Sequence, residues 1–288
     1  LMTHQKVVSD YLNLYTPYRG LLLYHGLGSG KTCTSIAIAE GMKSQKRVIV
    51  MTLASLRANF YGQMKVCGDP IYKLDQFWEF ISTDGQPNYI QILSKILKLP
   101  EEYVSKNKGA WMVNVKKGSN FNDLSDVDKK SLNQQIDMMI RSKYKHYNYN
   151  GLNLGIVNEM TDNLKKNPFD NCVVVIDEVH NFVSRIVNKL NDKTSISYKL
   201  YEYLMSATNA RIVLLSGTPI INYPNEIGVL FNILRGYIKT WTFPFTVGEK
   251  GRSYTRESIL SWFKGAGKNR YDYVELSGQQ LIITRNPF

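Results

Sequence analysis

The segment that most restricts the fold of this chain is glycine-rich and lies between an apolar run and an alanine-rich stretch. The apolar run is Gly20–Tyr24, and the stretch of helical composition is Thr34–Met42. A strand, a glycine-rich turn and a helix in this order aim backbone N–H groups and a helix N-terminus at one point, which is an arrangement that binds phosphate. The residues predicted to form this phosphate loop and to bind ATP are Gly26, Leu27, Gly28, Ser29, Gly30, Lys31 and Thr32.

The side chains of this loop predict how a nucleoside triphosphate is held. Its three glycines let the backbone curl around phosphate oxygens without steric hindrance. Lys31 supplies a positive charge for the β- and γ-phosphates, and the Thr32 hydroxyl is a ligand for Mg²⁺. His25 stands where the strict pattern has its first glycine. The alternative is a glycine-rich turn without a ligand, and the flanking strand and helix count against it.

A second apolar run, Val173–Ile176, ends in two acids and, two residues later, a histidine. Asp177 at the tip of this strand is placed to hold Mg²⁺, and Glu178 is placed to act as general base on the attacking water. His180 is placed to sense the γ-phosphate. Such a pair of acids is common by itself, but together with the phosphate loop it predicts an ATP hydrolase. The predicted catalytic residues are Glu178, Lys31 and His180, and the predicted metal ligands are Thr32 and Asp177.

A third strand-like run, Val213–Leu215, ends in a small polar turn of Ser216, Gly217 and Thr218. Hydroxyl groups in a tight turn exchange hydrogen bonds at low steric cost. We therefore predict that this turn couples the acidic motif to whatever lies across the cleft. A purely structural turn is the alternative.

The alternation of short apolar runs with amphipathic segments predicts an α/β fold, a doubly wound, mostly parallel sheet with helices on both faces. The predicted strands are Gly20–Tyr24, Val48–Met51, Cys172–Ile176 and Arg211–Leu215. The predicted helices are Thr34–Met42, Ala54–Met64, Tyr198–Ala207 and Asn225–Leu234. We predict an ATP-binding domain over residues 1–240 with a partly helical insertion at about 73–141. Residues 241–288 are predicted to be a C-terminal extension or the start of a linker.

The chain carries a net charge of +12, concentrated towards its two ends. Residues 1–66 contain eight lysines and arginines against two acids, and residues 231–288 contain nine against four. This balance favours a polyanionic partner such as nucleic acid, with plain solubility as the alternative. Tyr144, Tyr147 and Tyr149 form an aromatic cluster that either stacks on bases or packs at a domain edge.

Cysteine content and hydropathy bear on the location of the protein. Cys33, Cys67 and Cys172 are odd in number and far apart, which predicts reduced thiols used in packing and an intracellular compartment. No apolar run reaches the ~20 residues that span a bilayer, so we expect no membrane contact.

Together these segments resemble the superfamily 2 helicase-like ATPases, with Gly28–Thr32 similar to motif I, Asp177–His180 to motif II and Ser216–Pro219 to motif III. The resemblance implies a RecA-like fold with ATP and Mg²⁺ as cofactors. It also implies that Gln5 contacts adenine. The nucleic-acid contacts implied by the likeness to motif Ia are Thr52, Ser55 and Arg57.

Within this superfamily the chain is similar to the Swi/Snf branch, and closest to the group formed by the early transcription factor small subunit and nucleoside triphosphatase I of large DNA viruses. This similarity implies a nucleic-acid-dependent translocase in the virion and the host cytoplasm, and it favours DNA over RNA as the partner. It also implies a second RecA-like lobe in the full-length parent. The arginine motif of that lobe does not occur in this sequence. We therefore expect slow hydrolysis by this chain alone.

Two other functions remain open from the sequence. In the first, the protein is a subunit of a transcription complex, ATP binding is a switch, and docking to RNA polymerase or other transcription proteins is the main role. In the second, it is an ATPase that remodels proteins, which the basic charge counts against.

Overall fold

The structure is a computed structural model that describes residues 2–26, 28–244, 254–265 and 271–285. The described residues up to Leu234 form one compact unit, and those from Arg235 onward form another. The domain boundary after residue 240 stays a prediction, close to this division. Leu27, one of the predicted ATP-binding residues, lies outside the described residues.

The first unit alternates strands and helices along its length. Its strands are β1 (Gly20–Tyr24), β2 (Arg47–Thr52), β3 (Trp78–Ser82), β4 (Gly109–Val113), β5 (Tyr144–Asn148), β6 (Cys172–Ile176) and β7 (Arg211–Ser216). Its helices are α1 (Thr3–Tyr11), α2 (Lys31–Met42), α3 (Arg57–Cys67), α4 (Asn88–Leu97), α5 (Glu101–Lys106), α6 (Asp126–Lys143), α7 (Leu154–Thr161), α8 (Val179–Val187), α9 (Ile196–Ser206) and α10 (Asn225–Arg235). All four predicted strands and all four predicted helices are present, with small shifts at their ends.

Five of these strands form a parallel sheet in the order β1-β7-β6-β2-β5. Strand β6 lies at its centre and is buried along its whole length, as its run of apolar residues predicts. Alternate residues of β2 enter opposite apolar layers: Val48 and Val50 pack with α2 and α3, while Ile49 and Met51 pack with α8 and α9. The predicted RecA-like α/β fold, with helices on both faces of a parallel sheet, is therefore confirmed.

Strand β5 was not among the predicted strands, because its sequence has no apolar run. It lies at the edge of the sheet and pairs with β2 on one side. Two tyrosines of the predicted aromatic cluster, Tyr144 and Tyr149, are buried. The Tyr144 hydroxyl donates a hydrogen bond to Glu40 of α2 over 2.6 Å. The packing alternative is therefore confirmed for these two side chains.

The segment predicted as an insertion, residues 73–141, contains a small antiparallel sheet of β3 and β4 together with α4, α5 and most of α6. Its buried side chains, including Trp78, Trp111 and Ile136, belong to the same apolar layer as α2 and α3. Gln135 closes the segment with two buried bonds to the Trp111 backbone, each of 2.8 Å. The segment therefore shares a core with the main sheet.

The prediction of three unpaired thiols is wrong for two of them. Cys33 in the first turn of α2 and Cys67 at the end of α3 form a disulfide, with their Cα atoms 5.7 Å apart. Their sequence separation of 34 residues gave no sign of this pairing, because only the packing of α2 against α3 brings them together. Cys172 is a buried free thiol. The cysteine content therefore no longer argues for a reducing compartment.

The second unit is a three-stranded antiparallel sheet with one helix described beside it. It consists of β8 (Thr240–Pro244), α11 (Arg256–Gly265), β9 (Tyr271–Ser277) and β10 (Gln280–Arg285), with β10 between the other two strands. Helix α11 packs on β9, and Ile259 of the helix and Val274 of the strand are buried. In the described ranges of both units, no helix has the length and apolar character needed to cross a membrane.

Candidate functional site

The glycine-rich loop joins the carboxyl end of β1 to the N-terminus of α2. Gly28 and Gly30 both have a φ of +77°, in the left-handed region that a glycine adopts without steric cost. Helix α2 begins at Lys31, directly after Gly30, so its unpaired N–H groups and its positive dipole end face the loop. A Cβ atom added at Gly26 or Gly28 would meet no atom within 4 Å. The loop therefore leaves room for an anion at a helix N-terminus.

Lys31 lies across this loop and is held by its backbone. Its Nζ donates hydrogen bonds to the carbonyl oxygens of His25, over 2.7 Å, and of Gly26, over 3.0 Å. None of the ion pairs among the described residues involves Lys31. A phosphate group can therefore replace neutral carbonyl partners without separating Lys31 from a carboxylate. His25 makes its contact through the backbone, which explains why a side chain is tolerated where the strict pattern has glycine.

The two acids follow β6 directly. Asp177 is buried, and Glu178 has a φ of +47° immediately before α8 begins, so the chain turns sharply between strand and helix. Burial, followed by the neighbouring charge of Glu178, raises the pKa of Asp177 to about 6, although Lys31 acts in the opposite direction. The carboxylate keeps one hydrogen bond, accepted from the Glu178 N–H over 3.0 Å. Among the described residues Asp177 forms no ion pair, which suits a group that receives a cation.

The loop and the acids meet in one cavity of about 290 Å³. The described residues that line it are Gly28, Ser29, Gly30, Lys31, Thr32, Cys33, Leu56, Asn59, Gln63, Asp177 and Glu178. No group of three or more His, Cys, Asp or Glu side chains in the described chain has the arrangement of a metal site. One carboxylate and one hydroxyl fit Mg²⁺, which keeps several waters and takes further ligands from phosphates.

Replacing Asp177 with asparagine is expected to stabilise the nucleotide-free protein. The raised pKa means that ionised Asp177 is less stable in the folded state than in the unfolded state. Where Asp177 is ionised in both states, this lowers the free energy of unfolding by up to about 3 kcal/mol. This destabilisation is absent below the unfolded pKa, grows as pH rises from there to about 6, and is constant at higher pH. We therefore expect the melting temperature of D177N to exceed that of the wild type by several degrees at pH 7.5, and by less at pH 5. D123N, at an exposed acid, serves as the control.

A chain of hydrogen bonds links the acidic motif to the Ser216 turn. His180 Nδ1 lies 2.9 Å from Ser216 Oγ and 3.4 Å from Glu178 Oε2. Asn181 Nδ2 lies 2.8 Å from His180 Nε2, and because an amide NH₂ only donates, the imidazole hydrogen is assigned to Nδ1. The Nδ1 hydrogen is therefore donated to Ser216 Oγ, and the Glu178 carboxylate lies beside the same nitrogen, so His180 contacts both motifs.

The turn that contains Ser216 also reaches the phosphate loop. The Thr218 N–H donates to Ser216 Oγ over 3.0 Å. A Cβ atom at Gly217 would lie 3.8 Å from both Lys31 Nζ and the His25 carbonyl oxygen. Ser216 thus contacts His180, and Gly217 lies close to Lys31.

Gln5 lies against the loop but does not line the cavity. Its side chain is buried, with Oε1 accepting from the Met2 N–H over 2.9 Å and Nε2 donating to the Gly30 carbonyl over 3.5 Å. A Cβ atom on Gly30 would come within 2.6 Å of Gln5 Nε2. Gln5 therefore supports the end of the phosphate loop, and its contact with adenine stays a prediction.

The three predicted nucleic-acid contacts differ in exposure. Thr52 is fully buried, and its Oγ1 is bonded to the Leu53 carbonyl and to His146 Nε2, each over 2.8 Å. Its side chain does not reach the surface, so we remove it from the proposed contacts. Ser55 is exposed, and Arg57 at the start of α3 is partly exposed. These two side chains remain available.

Two residues that hold backbone segments near the site were not predicted from the sequence. Tyr149 donates its hydroxyl to the carbonyl groups of Asp177 and Glu178, over 3.3 and 3.1 Å, so it fixes the backbone of the acidic motif. Glu226 is fully buried and accepts hydrogen bonds from the N–H groups of Ile221 and Asn222, over 2.8 and 3.2 Å. An acid in the first turn of an amphipathic helix is the only sign of Glu226 in the sequence, and it predicts an ordinary helix start.

Comparison with known proteins places this chain in a family. The family described as "Type III restriction enzyme, res subunit" matches residues 3–221. The chain belongs to this family. The match covers the phosphate loop, the acidic motif and the Ser216 turn, and the family corresponds to the N-terminal lobe of superfamily 2 helicases. The resemblance to the superfamily 2 helicase-like ATPases is therefore confirmed.

Proteins with sequences similar to this chain come from large DNA viruses. Over 235 residues the chain is 31% identical to a protein named as an ATP-dependent RNA helicase in Acanthamoeba polyphaga mimivirus, covering 80% of this chain and 32% of that protein. It is 26% identical over 251 residues to a protein named as a helicase in Invertebrate iridescent virus 3, with coverages of 81% and 20%. It is 26% identical over 221 residues to a termination factor NPH-I homologue of African swine fever virus, with coverages of 76% and 23%. The chain thus spans a third or less of each relative.

Proposed function

We propose that this chain is the ATP-binding lobe of a nucleic-acid-dependent, helicase-like ATPase that works in the transcription or DNA handling of a large DNA virus. The observation that carries the proposal is the single cavity shared by the phosphate loop, Asp177 and Glu178. The names of the relatives, which include helicases and a termination factor homologue, support the same class of activity.

In the proposed mechanism each part of the cavity has one task. The N–H groups at the start of α2 and the Lys31 ammonium bind the β- and γ-phosphates. Thr32 and Asp177 would hold Mg²⁺, which neutralises charge on the phosphate oxygens when bound. Glu178, the acid beside Asp177, accepts a proton from the attacking water. His180 donates its N–H to Ser216 and lies beside Glu178, so a change at the γ-phosphate would alter the contacts of the Ser216 turn.

The cavity contains no arginine among its described lining residues. An arginine brought to the transition state from across a cleft accelerates related NTPases by about 10³–10⁵. We therefore propose that a second RecA-like lobe of the full-length protein supplies this group, and that the chain alone hydrolyses ATP slowly. Closure of the two lobes on ATP and their reopening after hydrolysis would drive movement along nucleic acid.

Nucleic acid is the proposed polyanionic partner, with DNA favoured over RNA from the Swi/Snf likeness. The net charge of +12 and the availability of Ser55 and Arg57 support this assignment. In the chain tested by filter binding, we expect the logarithm of the association constant to fall linearly with the logarithm of salt concentration. The slope is expected to change by about −0.9 for each phosphate neutralised on duplex DNA and about −0.7 on a single strand. A slope near zero for DNA and RNA alike would contradict this part of the proposal.

A second candidate is a transcription-complex subunit in which ATP binding is a switch and docking to RNA polymerase or other transcription proteins is the main role. The African swine fever virus relative, named as a termination factor homologue, favours this candidate. A salt-independent interaction with a polymerase subunit, without affinity for nucleic acid, would support it over the first. In either case we propose action in the virion and the host cytoplasm, as the likeness to proteins of large DNA viruses implies.

A further inference from the structure

Two arginines from different parts of the chain lie beside one tyrosine ring. The ring belongs to Tyr61 in α3, which is 8% exposed. The Arg57 guanidinium carbon is 5.8 Å from the ring centroid, and the Arg141 guanidinium carbon is 6.0 Å from it. Arg57 lies one turn before Tyr61 on the same helix, whereas Arg141 lies in the last turn of α6, at the end of the predicted insertion. Both distances are within the range of cation–π attraction.

The tyrosine ring is held in place from beneath. It stacks on His146 of β5 with a centroid distance of 5.7 Å and an interplanar angle of 29°. Burial, followed by the charge of Arg57, lowers the pKa of His146 to about 4, so the imidazole is neutral at physiological pH. Thr52 Oγ1 fixes this imidazole through Nε2. The two arginines therefore rest on a rigid and uncharged aromatic platform.

Neither arginine has an anionic partner in the described chain. The ion pair between α3 and α6 uses Lys65 and Asp137, which are 2.8 Å apart, and no described ion pair includes Arg57 or Arg141. The Tyr61 hydroxyl is buried without a hydrogen-bond partner. The two positive charges beside one ring repel each other. An anion that contacts both guanidinium groups is attracted by each of them and reduces this repulsion. A guanidinium offers the planar pair of donors that matches phosphate oxygens.

We propose that Arg57 and Arg141 form a clamp for the phosphate backbone of nucleic acid, so that the insertion extends the contact made by the segment after β2. This inference rests on the proposed function, because it names a second source of contact for the same partner. In the clamp, Tyr61 is a positioning residue that holds both guanidinium groups beside one ring. The arginines bind phosphates and carry no base specificity.

The test is the salt dependence of nucleic-acid binding by single variants of the chain, followed by fluorescence anisotropy of a labelled oligonucleotide. R141Q and R57Q are each expected to reduce the magnitude of the slope by about 0.9 on duplex DNA or about 0.7 on a single strand. K130Q, which removes one charge from an exposed position on the same helix, is expected to leave the slope unchanged. R141K keeps the charge and is expected to retain the slope while losing affinity through the lost bidentate geometry.

The possible results separate this inference from the function on which it rests. If R141Q matches K130Q while R57Q reduces the slope, the clamp is overturned and the nucleic-acid function stands. If the wild type has no salt-dependent affinity for nucleic acid, the proposed function fails and the clamp fails with it. Thermal melting of each variant checks that the fold is retained. If R141Q melts at a lower temperature than the wild type, the test rests on R141K. Because R141K keeps the charge, a reduced salt-dependence slope in a folded R141K would overturn the clamp.

Discussion

Replacing Lys31 with alanine is expected to lower the affinity for Mg-ATP by about 100-fold. The reason is that Lys31 is the cation at the N-terminus of α2, and a charged hydrogen bond to phosphate contributes about 1.5–3 kcal/mol. Its present partners are two backbone carbonyls of the loop, which a phosphate replaces. Isothermal titration of the chain with a non-hydrolysable ATP analogue and Mg²⁺ measures the change.

The matched control for this loss of charge is K95A, at an exposed position on α4 outside the cavity. It is expected to bind the analogue with wild-type affinity. Wild-type affinity in K31A would contradict the assignment of the phosphate site. Because the described hydrogen bonds of the Lys31 ammonium both go to backbone carbonyls, K31A is also expected to fold, which its melting curve checks.

The second large effect is expected from Glu178→Gln. Removal of a general base typically lowers turnover by about 10²–10⁴-fold, whereas the amide retains the size and the hydrogen-bonding oxygen of the side chain. We therefore expect E178Q in the full-length protein to bind Mg-ATP within a few-fold of the wild type and to hydrolyse it very slowly. Single-turnover kinetics and an analogue titration together separate the two steps.

The control for E178Q tests whether Glu178 acts as the general base or as a metal ligand. E159Q, at an exposed position on α7, is expected to retain both binding and turnover. If E178Q lost affinity and turnover to the same degree, Glu178 would hold the metal and the assignment of general base would be incorrect. Full turnover in E178Q would remove it from the mechanism altogether.

The sheet and the site were predictable where the sequence carries an unbroken local pattern. Strand β6 is apolar at every position because it is buried on both faces, and the acids that follow it must then lie at the carboxyl edge of the sheet. The glycine-rich loop between β1 and α2 is equally local. Its proximity to Asp177 followed from the topology of parallel strands, since β1 and β6 both pair with β7.

What the sequence did not reveal depends on contacts between distant segments. Edge strand β5 pairs on one side only, and its sequence, Tyr-Lys-His-Tyr-Asn, contains no apolar run that would mark it as a strand. The Cys33–Cys67 disulfide needs the packing of α2 on α3. The role of each basic residue also depends on contacts between distant segments. Arg19 donates hydrogen bonds to the backbone carbonyls of Leu204 and Leu234, and Lys46 donates one to that of Asn209. Composition alone does not separate these structural cations from Arg57 and Arg141.

The central claim is that the glycine-rich loop and the acids after β6 hold the same magnesium triphosphate. A crystal structure of the chain with Mg²⁺ and a non-hydrolysable ATP analogue tests it most directly. We predict phosphate oxygens against Lys31 and the N–H groups at the start of α2, with Mg²⁺ at about 2.0–2.1 Å from the Thr32 hydroxyl and reaching Asp177 directly or through one water. An analogue bound away from the loop, or a metal without any contact to Asp177, would contradict the account.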